Sequence, residues 1–274
     1  MRRVVPIVLL VMLAACGAPP SVPTAKVVAG GGPSSGMHAP GAVDPFRGTP
    51  AEKFAVGEAG IVVPPTPVVA GATPQQVAGA LATVRQVLVA SYVDDRLLVH
   101  HDPTAVVALF APDDRDVVRT DIARGTNGTV FVQFGPGATL AAPPRLDGDL
   151  SVSFAEVDGV PDVVVVSNYV VAYAFEGAGS LVLVRSQTHW LFARPSVVTP
   201  GSTGMFLGDD TGFWQGMDCT ASGRGLTEPA PIVDPNGKPF VVDTRSPDSY
   251  YDPAAPPTAT DSCIATPASP PTTR

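Results

Sequence analysis

The sequence predicts an α+β fold, in which two N-terminal helices pack on a long, curved antiparallel sheet and a proline-rich, disulfide-tied C-terminal arm follows. Two observations support this class. Apolar residues recur at helical spacing after residue 73, and they alternate with polar residues after residue 116. Because the helices precede the strands rather than alternating with them, the pattern favours an antiparallel sheet over a parallel one.

The first helix is predicted to begin after Thr73. Thr73 can cap it, Pro74 suits the first helical position, and Gln76 completes a capping box three residues after the cap. One apolar stripe then follows at spacings of three and four: Val77, Leu81, Val84, Leu88 and Tyr92. A second, short helix is predicted between Asp102, as its cap, and Pro112.

The later part of the chain reads as strands. A glycine-rich turn at 124–128 predicts a hairpin between 117–123 and 129–134. The strongest alternation lies in two arms, 163–175 and 181–194, which a short glycine-rich loop joins. Arms of this length twist, so they are expected to curl around the helices. Shorter strands are predicted at 151–157 and 204–214.

The first sixteen residues have the pattern of an export signal. A basic start at Met1–Arg3 precedes an apolar run, 4–12, that is shorter than the roughly 20 residues a transmembrane helix needs. The run ends in Leu13-Ala14-Ala15-Cys16. These four residues resemble the lipobox of bacterial lipoproteins.

That resemblance implies the processing and the location of the protein. The thiol of Cys16 would receive a diacylglycerol with acyl chains such as palmitate, and cleavage would remove the signal peptide, 1–15. The mature chain would then begin at Cys16, anchored to the outer face of the cell membrane. The alternative is a non-lipidated signal that has a cysteine by chance.

Composition divides the rest of the chain. Residues 16–56 contain few side chains that could be buried, which predicts a lipidated disordered tether. The α+β domain is predicted over 57–218, the disulfide-tied arm over 219–263 and a disordered tail over 264–274.

The net charge is −8, and it becomes −10 when residues 1–15, with Arg2 and Arg3, are removed. An acidic surface disfavours nucleic acid and anionic lipid headgroups as partners. The expected partners are the lipid anchor in the membrane and an envelope protein or a small ligand.

The two remaining cysteines, Cys219 and Cys263, are expected to form a disulfide, because an oxidising compartment favours pairing and neither has another partner. The alternative is a redox pair or a metal site. The sequence argues against it, since it has no C-x-x-C motif and no histidine near either cysteine.

The order of elements over residues 73–215 is similar to the nuclear transport factor two-like cone fold. The similarity implies a pocket between the helices and the curved sheet. Some members of that family are enzymes and many only bind or scaffold, so fold alone does not assign an activity.

Four residues are candidates for lining such a pocket: Tyr92, Asp121, Tyr173 and His189. His189 could serve there as an acid or base, or it could be a partly exposed strand histidine. No cofactor or metal site is expected, because the acidic run 113–116 lacks the glycine and the distal glutamate of a calcium loop.

Two functions are consistent with the sequence. The first is a membrane-anchored binding or scaffolding module of the cell envelope, which the lipobox, the tether and the acidic body favour. The alternative is a pocket enzyme of the isomerase or hydratase type on a cone fold. The enzyme requires an open cavity between the first helix and the long hairpin with a buried carboxylate, or His189, beside Tyr92 or Tyr173. The two functions therefore differ in which ionisable groups face such a cavity.

Overall fold

A computed structural model describes residues 44–157, 160–178, 180–193, 203–231 and 247–255. In this part of the chain, five strands form one antiparallel sheet in sequence order. They are β1 (Ala55–Val56), β2 (Arg145–Val157), β3 (Val160–Tyr173), β4 (Val182–Ala193) and β5 (Phe206–Gln215). The predicted class is thereby confirmed as an antiparallel sheet accompanied by helices.

The helices differ in number from the expectation. Where two were predicted, the described residues between β1 and β2 form one long helix and three shorter ones. These are α1 (Pro74–Tyr92), α2 (Asp95–Leu98), α3 (Thr104–Val107) and α4 (Arg115–Arg124), and α5 (Cys219–Ser222) follows the sheet. Three short 3-10 helices cover Pro50–Lys53, Gly57–Gly60 and Pro247–Tyr251. None of these helices has the length and hydropathy to cross a bilayer.

The predicted start of α1 is confirmed. The Thr73 side chain accepts a hydrogen bond from the Gln76 backbone N–H at 3.2 Å, and the Gln76 side chain accepts one from the Thr73 N–H at 2.9 Å. This reciprocal pair satisfies two donors that a helix start otherwise leaves unpaired. All five members of the predicted apolar stripe are buried.

The predicted hairpin around residues 124–128 is wrong, because 115–124 is helix α4. Val118 and Ile122, four residues apart, face the core, whereas Val117 is 56% exposed. Apolar residues four apart share one side of a helix, and this spacing decided the local structure. Gly125 ends the helix at φ +68°, and a Cβ there would lie 2.1 Å from the Cα of Gly225, where a second loop crosses.

The long hairpin is confirmed as β3 and β4, in register from Val165 opposite Trp190 to Tyr173 opposite Val182. The sheet face that carries these four side chains packs on α1 and is called the inner face here. Its cluster includes most of the largest buried rings of the described residues. Trp190, Tyr169 and Tyr173 come from alternate positions of the two arms, which point the same way, and the others come from α1 and the loops that pack on them. These rings are Trp190, Tyr92, Tyr169, Tyr173, Phe110, Phe131 and Phe134.

The opposite side, called the outer face, is covered by two segments from distant parts of the chain. Phe46 and Ala51 come from before the sheet and Tyr250 from after it, and they pack on Ala172 and Phe213. Phe46 is 0% exposed although it lies within the predicted tether, 16–56. Packing of the folded domain therefore begins at least ten residues before the predicted boundary, because the outer face needs an apolar cover.

Candidate functional site

A groove of about 350 Å³ opens between the first turns of α1 and the far ends of β3 and β4. Helix α1 contributes side chains at positions about one turn apart, and the strands contribute Val163 and Phe192. The loop before β5 closes one side with Met205. We call this the mouth groove, and its lining residues are Gln75, Gln76, Gly79, Ala80, Thr83, Leu109, Val163, Phe192, Ala193, Thr203, Gly204 and Met205.

The mouth groove has an apolar floor and an uncharged polar rim. Val163 and Met205 are buried beneath it, while Gln75 and Thr203 are exposed at its edge. Among the described residues that line the groove, there is no Asp, Glu, Lys, Arg or His. A concave surface of this size, mostly apolar with a few hydrogen-bonding groups, has the chemistry of a small-molecule site.

Deeper in the fold, two polar rows cross the inner face. Ser167, Thr188 and Asp210 are opposite one another on β3, β4 and β5, and Tyr169, Ser186 and Gly212 form the next row. These rows are closed to solvent where they meet the core, since both serines and Thr188 are at most 2% exposed.

Protein groups satisfy most of these hydroxyls. Ser186 and Thr188 are hydrogen-bonded to each other at 3.0 Å, and the Trp190 indole N–H donates to the Ser167 hydroxyl at 2.8 Å. Their role is therefore to organise the core. The signal that could have revealed them is the pair of small polar residues, Ser186 and Thr188, among the otherwise apolar inner-face positions of this arm.

The structure brings two of the predicted pocket residues together. The Tyr173 hydroxyl donates to the Tyr92 carbonyl at 3.1 Å, and the Tyr92 hydroxyl donates to the Thr129 carbonyl at 2.9 Å. Burial raises the pKa of both tyrosines, and each is at most 1% exposed. They are neutral packing groups, and neither faces an open cavity.

Asp121 lies near the β5 edge of the sheet. It belongs to α4, and its charge adds to the raised pKa of Asp210 on β5, for which burial is the main cause and Asp209 the second. Asp121 also adds to the raised pKa of Asp114, again mainly caused by burial. It is thus part of an acidic margin around α4 and β5.

His189 is on the outer face. It is opposite Val166 on β3, and its neighbour Trp190 points to the inner face. Side chains of adjacent strand residues point to opposite faces, so the sheet itself separates His189 from Tyr92 and Tyr173. The predicted set of four is therefore distributed over three places.

The most unusual buried group is one that the sequence analysis missed. Arg185, 1% exposed on the outer face, donates to the carbonyls of Pro253 at 2.7 Å and Ala255 at 3.2 Å. Asn168 donates to the same Pro253 carbonyl at 2.8 Å. Burial lowers the pKa of Arg185, and none of the ion pairs among the described residues includes it. Together, Arg185 and Asn168 hold residues 252–255 against the sheet.

The three cysteines can be placed only in part. Cys219 opens α5, where the Asp218 side chain caps the helix, while Cys16 and Cys263 lie outside the described residues. Within the described ranges, no group of three or more His, Cys, Asp or Glu side chains is arranged to hold a metal ion.

Comparison with protein-family models, with curated proteins and with solved structures found no match to this chain.

Proposed function

We propose that the chain is an extracytoplasmic lipoprotein that acts as a binding or scaffolding module of the cell envelope, with the mouth groove as its ligand site. The lipobox at residues 13–16 supplies the anchor, and the resemblance to a cone-shaped fold remains part of the proposal. The observation that carries the binding role is that this mostly apolar groove is open at the rim of the sheet, whereas the inner face behind it is packed with aromatic rings.

The lining defines the class of ligand. An uncharged rim with amide and hydroxyl groups cannot balance a charged ligand, and burying an unpaired charge is costly. The apolar floor contributes affinity through burial of nonpolar surface. The ligand is therefore a small, neutral molecule with one apolar face and one or two hydrogen-bonding groups.

Two related dyes test this site on the full-length protein. N-phenyl-1-naphthylamine is neutral, and 1-anilinonaphthalene-8-sulfonate has the same rings with a negative charge. We expect the neutral dye to bind, with a rise in its fluorescence, and the anionic dye to bind at least about tenfold more weakly. Equal binding of the two dyes would contradict a neutral site.

A groove-filling variant locates the binding. A Cβ at Gly79 would meet no atom within 4 Å, so Gly79→Trp can enter the groove without displacing the core. This variant should abolish binding of the neutral dye. Ala78→Trp is the matched control, because Ala78 is exposed on α1 but does not line the groove. If both variants bind like the wild type, the dye is elsewhere and the proposed site is wrong.

The anchor is tested separately. Cells grown with an alkyne analogue of palmitate should label the wild-type protein and leave Cys16→Ala unlabelled, with the variant shifted from the membrane fraction to the soluble fraction. Labelling that persists in Cys16→Ala would refute acylation at this position. A negative result here does not change the interpretation of the dye experiment, so the anchor and the groove are tested independently.

We also propose that Cys219 and Cys263 form the disulfide that ties the C-terminal arm. Peptide mass spectrometry without reduction should find the two cysteine peptides joined, and reduction should separate them. Detection of both as alkylated free thiols in protein taken from the envelope would contradict the bond.

The enzyme alternative has one feature in its favour, the partly buried Asp210, whose raised pKa is of the kind found in general bases. Asp210 is at the end of the Ser167–Thr188 row, next to buried hydroxyls. If this alternative is right, Asp210→Asn should abolish an isomerase or hydratase activity found by screening, and dye binding should persist.

A further inference from the structure

Residues 61–68 form an extended segment with an exposure pattern that repeats every third residue. Ile61 is buried, Pro64 and Pro67 are half-buried, and the pairs of residues between them are exposed. A β-strand would alternate every second residue and an α-helix every three to four. A repeat of three matches the three residues per turn of a polyproline II helix. Ile61 itself is the C-cap of the preceding 3-10 helix, at φ −100° and ψ 84°.

The sequence of this segment favours the same conformation. Each proline fixes its own φ near −65°, and each residue before a proline is restricted to extended backbone. Val63, Pro64, Pro65, Thr66 and Pro67 are all restricted in one or both of these ways. The segment belongs to no strand of the sheet, as a helix without internal hydrogen bonds requires.

Both ends of the segment are fixed to the folded domain. A Cβ on Gly60 would lie 2.7 Å from the Leu146 Cβ, and one on Gly71 would lie 2.7 Å from the Phe154 ring. Both contacts are to strand β2, so the segment runs beside this strand. The segment therefore loses its conformational entropy when the protein folds, and binding to a partner need not cost that entropy again.

The exposed side of the segment is apolar. Val68 is 100% exposed, Val62 64% and Val63 38%, and these are three of the six large hydrophobic residues that the described chain exposes. No charged residue or histidine occurs between Glu58 and Arg85. A concentrated apolar surface of this kind marks an interaction site rather than a solvated loop.

We propose that residues 61–68 are a preformed ligand for a partner protein that binds polyproline II helices in a groove lined with tyrosine or tryptophan rings. Such grooves accept proline and valine side chains between aromatic rings and exploit the low entropy of the bound helix. This surface is separate from the mouth groove, and the inference does not depend on that groove's ligand; it rests on the proposed function only in placing the partner in the cell envelope.

A second copy of this chain does not fit as the partner. The most exposed large hydrophobic residues of the described chain are all valines. Its partly exposed rings, such as Phe54, Trp214 and Tyr251, pack against the hydrophobic clusters and do not form an open row. A bilayer surface does not fit either, since interfacial segments combine an apolar face with basic residues, and this segment has none. An aromatic groove on another envelope protein is the chemistry that remains.

The test uses the full-length protein in its own membrane with the photo-crosslinking residue p-benzoylphenylalanine. Placed at Val68, it should give a discrete adduct, and placed at Val117, an exposed valine on α4, it should not. A synthetic peptide of residues 61–69 should suppress the adduct, and the same peptide with D-proline at all three proline positions should not.

The conformational requirement is tested with Pro64→Ala/Pro65→Ala/Pro67→Ala, which keeps the segment uncharged but releases its backbone. We expect the Val68 adduct to fall about fivefold or more, since the cost of ordering returns, while the thermal midpoint of the protein changes little. Mass spectrometry should place the crosslink in the partner within a surface that contains tyrosine or tryptophan.

Four results would overturn the proposal: equal adducts at Val68 and Val117, an undiminished adduct in the triple alanine variant, a crosslink to a second copy of this chain or to lipid, or a crosslinked partner surface without aromatic residues.

Discussion

The two faces of the sheet are buried in different ways. The inner face packs on α1 with large rings that interlock, such as Phe134 with its centroid 5.1 Å from that of Tyr173 and edge-on to it. The outer face has a smaller apolar cluster, which includes Ala172, Ala174 and Leu183, and is covered by short segments from both sides of the sequence. One face has a single continuous core, and the other has a thin cover.

The means of attachment differ as well. Inner-face polar groups bond to fixed partners within the core, as Trp190 does to Ser167. On the outer face, Arg185 and Asn168 hold the cover through backbone carbonyls of Pro253 and Ala255. The cover is held by a few hydrogen bonds to its backbone, whereas the sheet is held mainly by its inner core. The cover can therefore be loosened while the sheet remains folded. The inner face should therefore determine global stability and the outer face only local order.

The largest effect is expected from Trp190→Ala on the inner face. Trp190 is 0% exposed and contacts the Phe110 ring at 6.3 Å between centroids. Removing a buried ring of this size leaves a cavity, so the free energy of unfolding should fall by about 3–5 kcal/mol. Urea denaturation followed by circular dichroism measures this, and Trp190→Phe should lose clearly less. A loss below about 1 kcal/mol would show that the inner face is not the main core.

Arg185→Met should have a smaller and more local effect. The variant removes the hydrogen bonds to the carbonyls of Pro253 and Ala255, together with those to Tyr169 and Ser186 in the sheet. Because bonds to a charged group are lost, the free energy of unfolding should fall by about 1–3 kcal/mol. Hydrogen exchange should rise at the amides of residues 254 and 255 and stay unchanged in α1. Gln187→Met, on the same sheet face, is the control. Equal exchange increases in α1 would mean that the two faces unfold together.

Thr73→Ala tests the edge of the inner face. It removes the capping box at the start of α1, where the Gln76 N–H would lose its acceptor. We expect a loss of about 1 kcal/mol in unfolding free energy, as is usual for a lost cap. Thr73→Ser should retain nearly all of the stability. If Ser and Ala behave alike, the cap contributes nothing to the helix.

The smallest effect is expected from Asp210→Asn, and only above acidic pH. Burial, then Asp209 and Asp121, raise the pKa of Asp210 in the folded protein above its unfolded value. A raised carboxyl pKa stabilises the fold below the unfolded pKa, near 3.9, and this stabilisation is lost as pH rises through the folded pKa. The variant should therefore gain stability over wild type near pH 7 but not near pH 3. A gain in stability that is independent of pH would contradict a raised pKa of Asp210 in the folded protein.

Parts of the fold were predictable because they depend on neighbours in sequence. The cap at Thr73, the stripe of α1 and the two arms of the hairpin follow from local hydrogen bonding and from periods of 3.6 and 2. The prediction of a strand at 117–123 was wrong because a run with two adjacent valines is compatible with a helix or a strand. The run is also too short for its hydrophobic period to distinguish the two. Only the core contact of Val118 and Ile122 selects the helix.

The candidate sites were less predictable. His189 and Tyr173 could be assigned to faces from the alternation of β3 and β4, but which face is closed by rings and which by a thin cover depends on residues such as Phe46 and Tyr250, far away in sequence. The mouth groove combines α1, both arms and the loop before β5, and no local pattern brings these together.

What the sequence by itself determined is set by short-range physics. It determined the elements whose residues cap, alternate or stiffen one another, including the proline restraints at residues 63–67 that fix the backbone before any tertiary contact forms. The tertiary structure alone decided which surfaces are closed and which are open. Burial is a property of residues that meet in space, so the filled interior, the groove at its rim and the charge of Arg185 beneath residues 252–255 exist only once the sheet has gathered them.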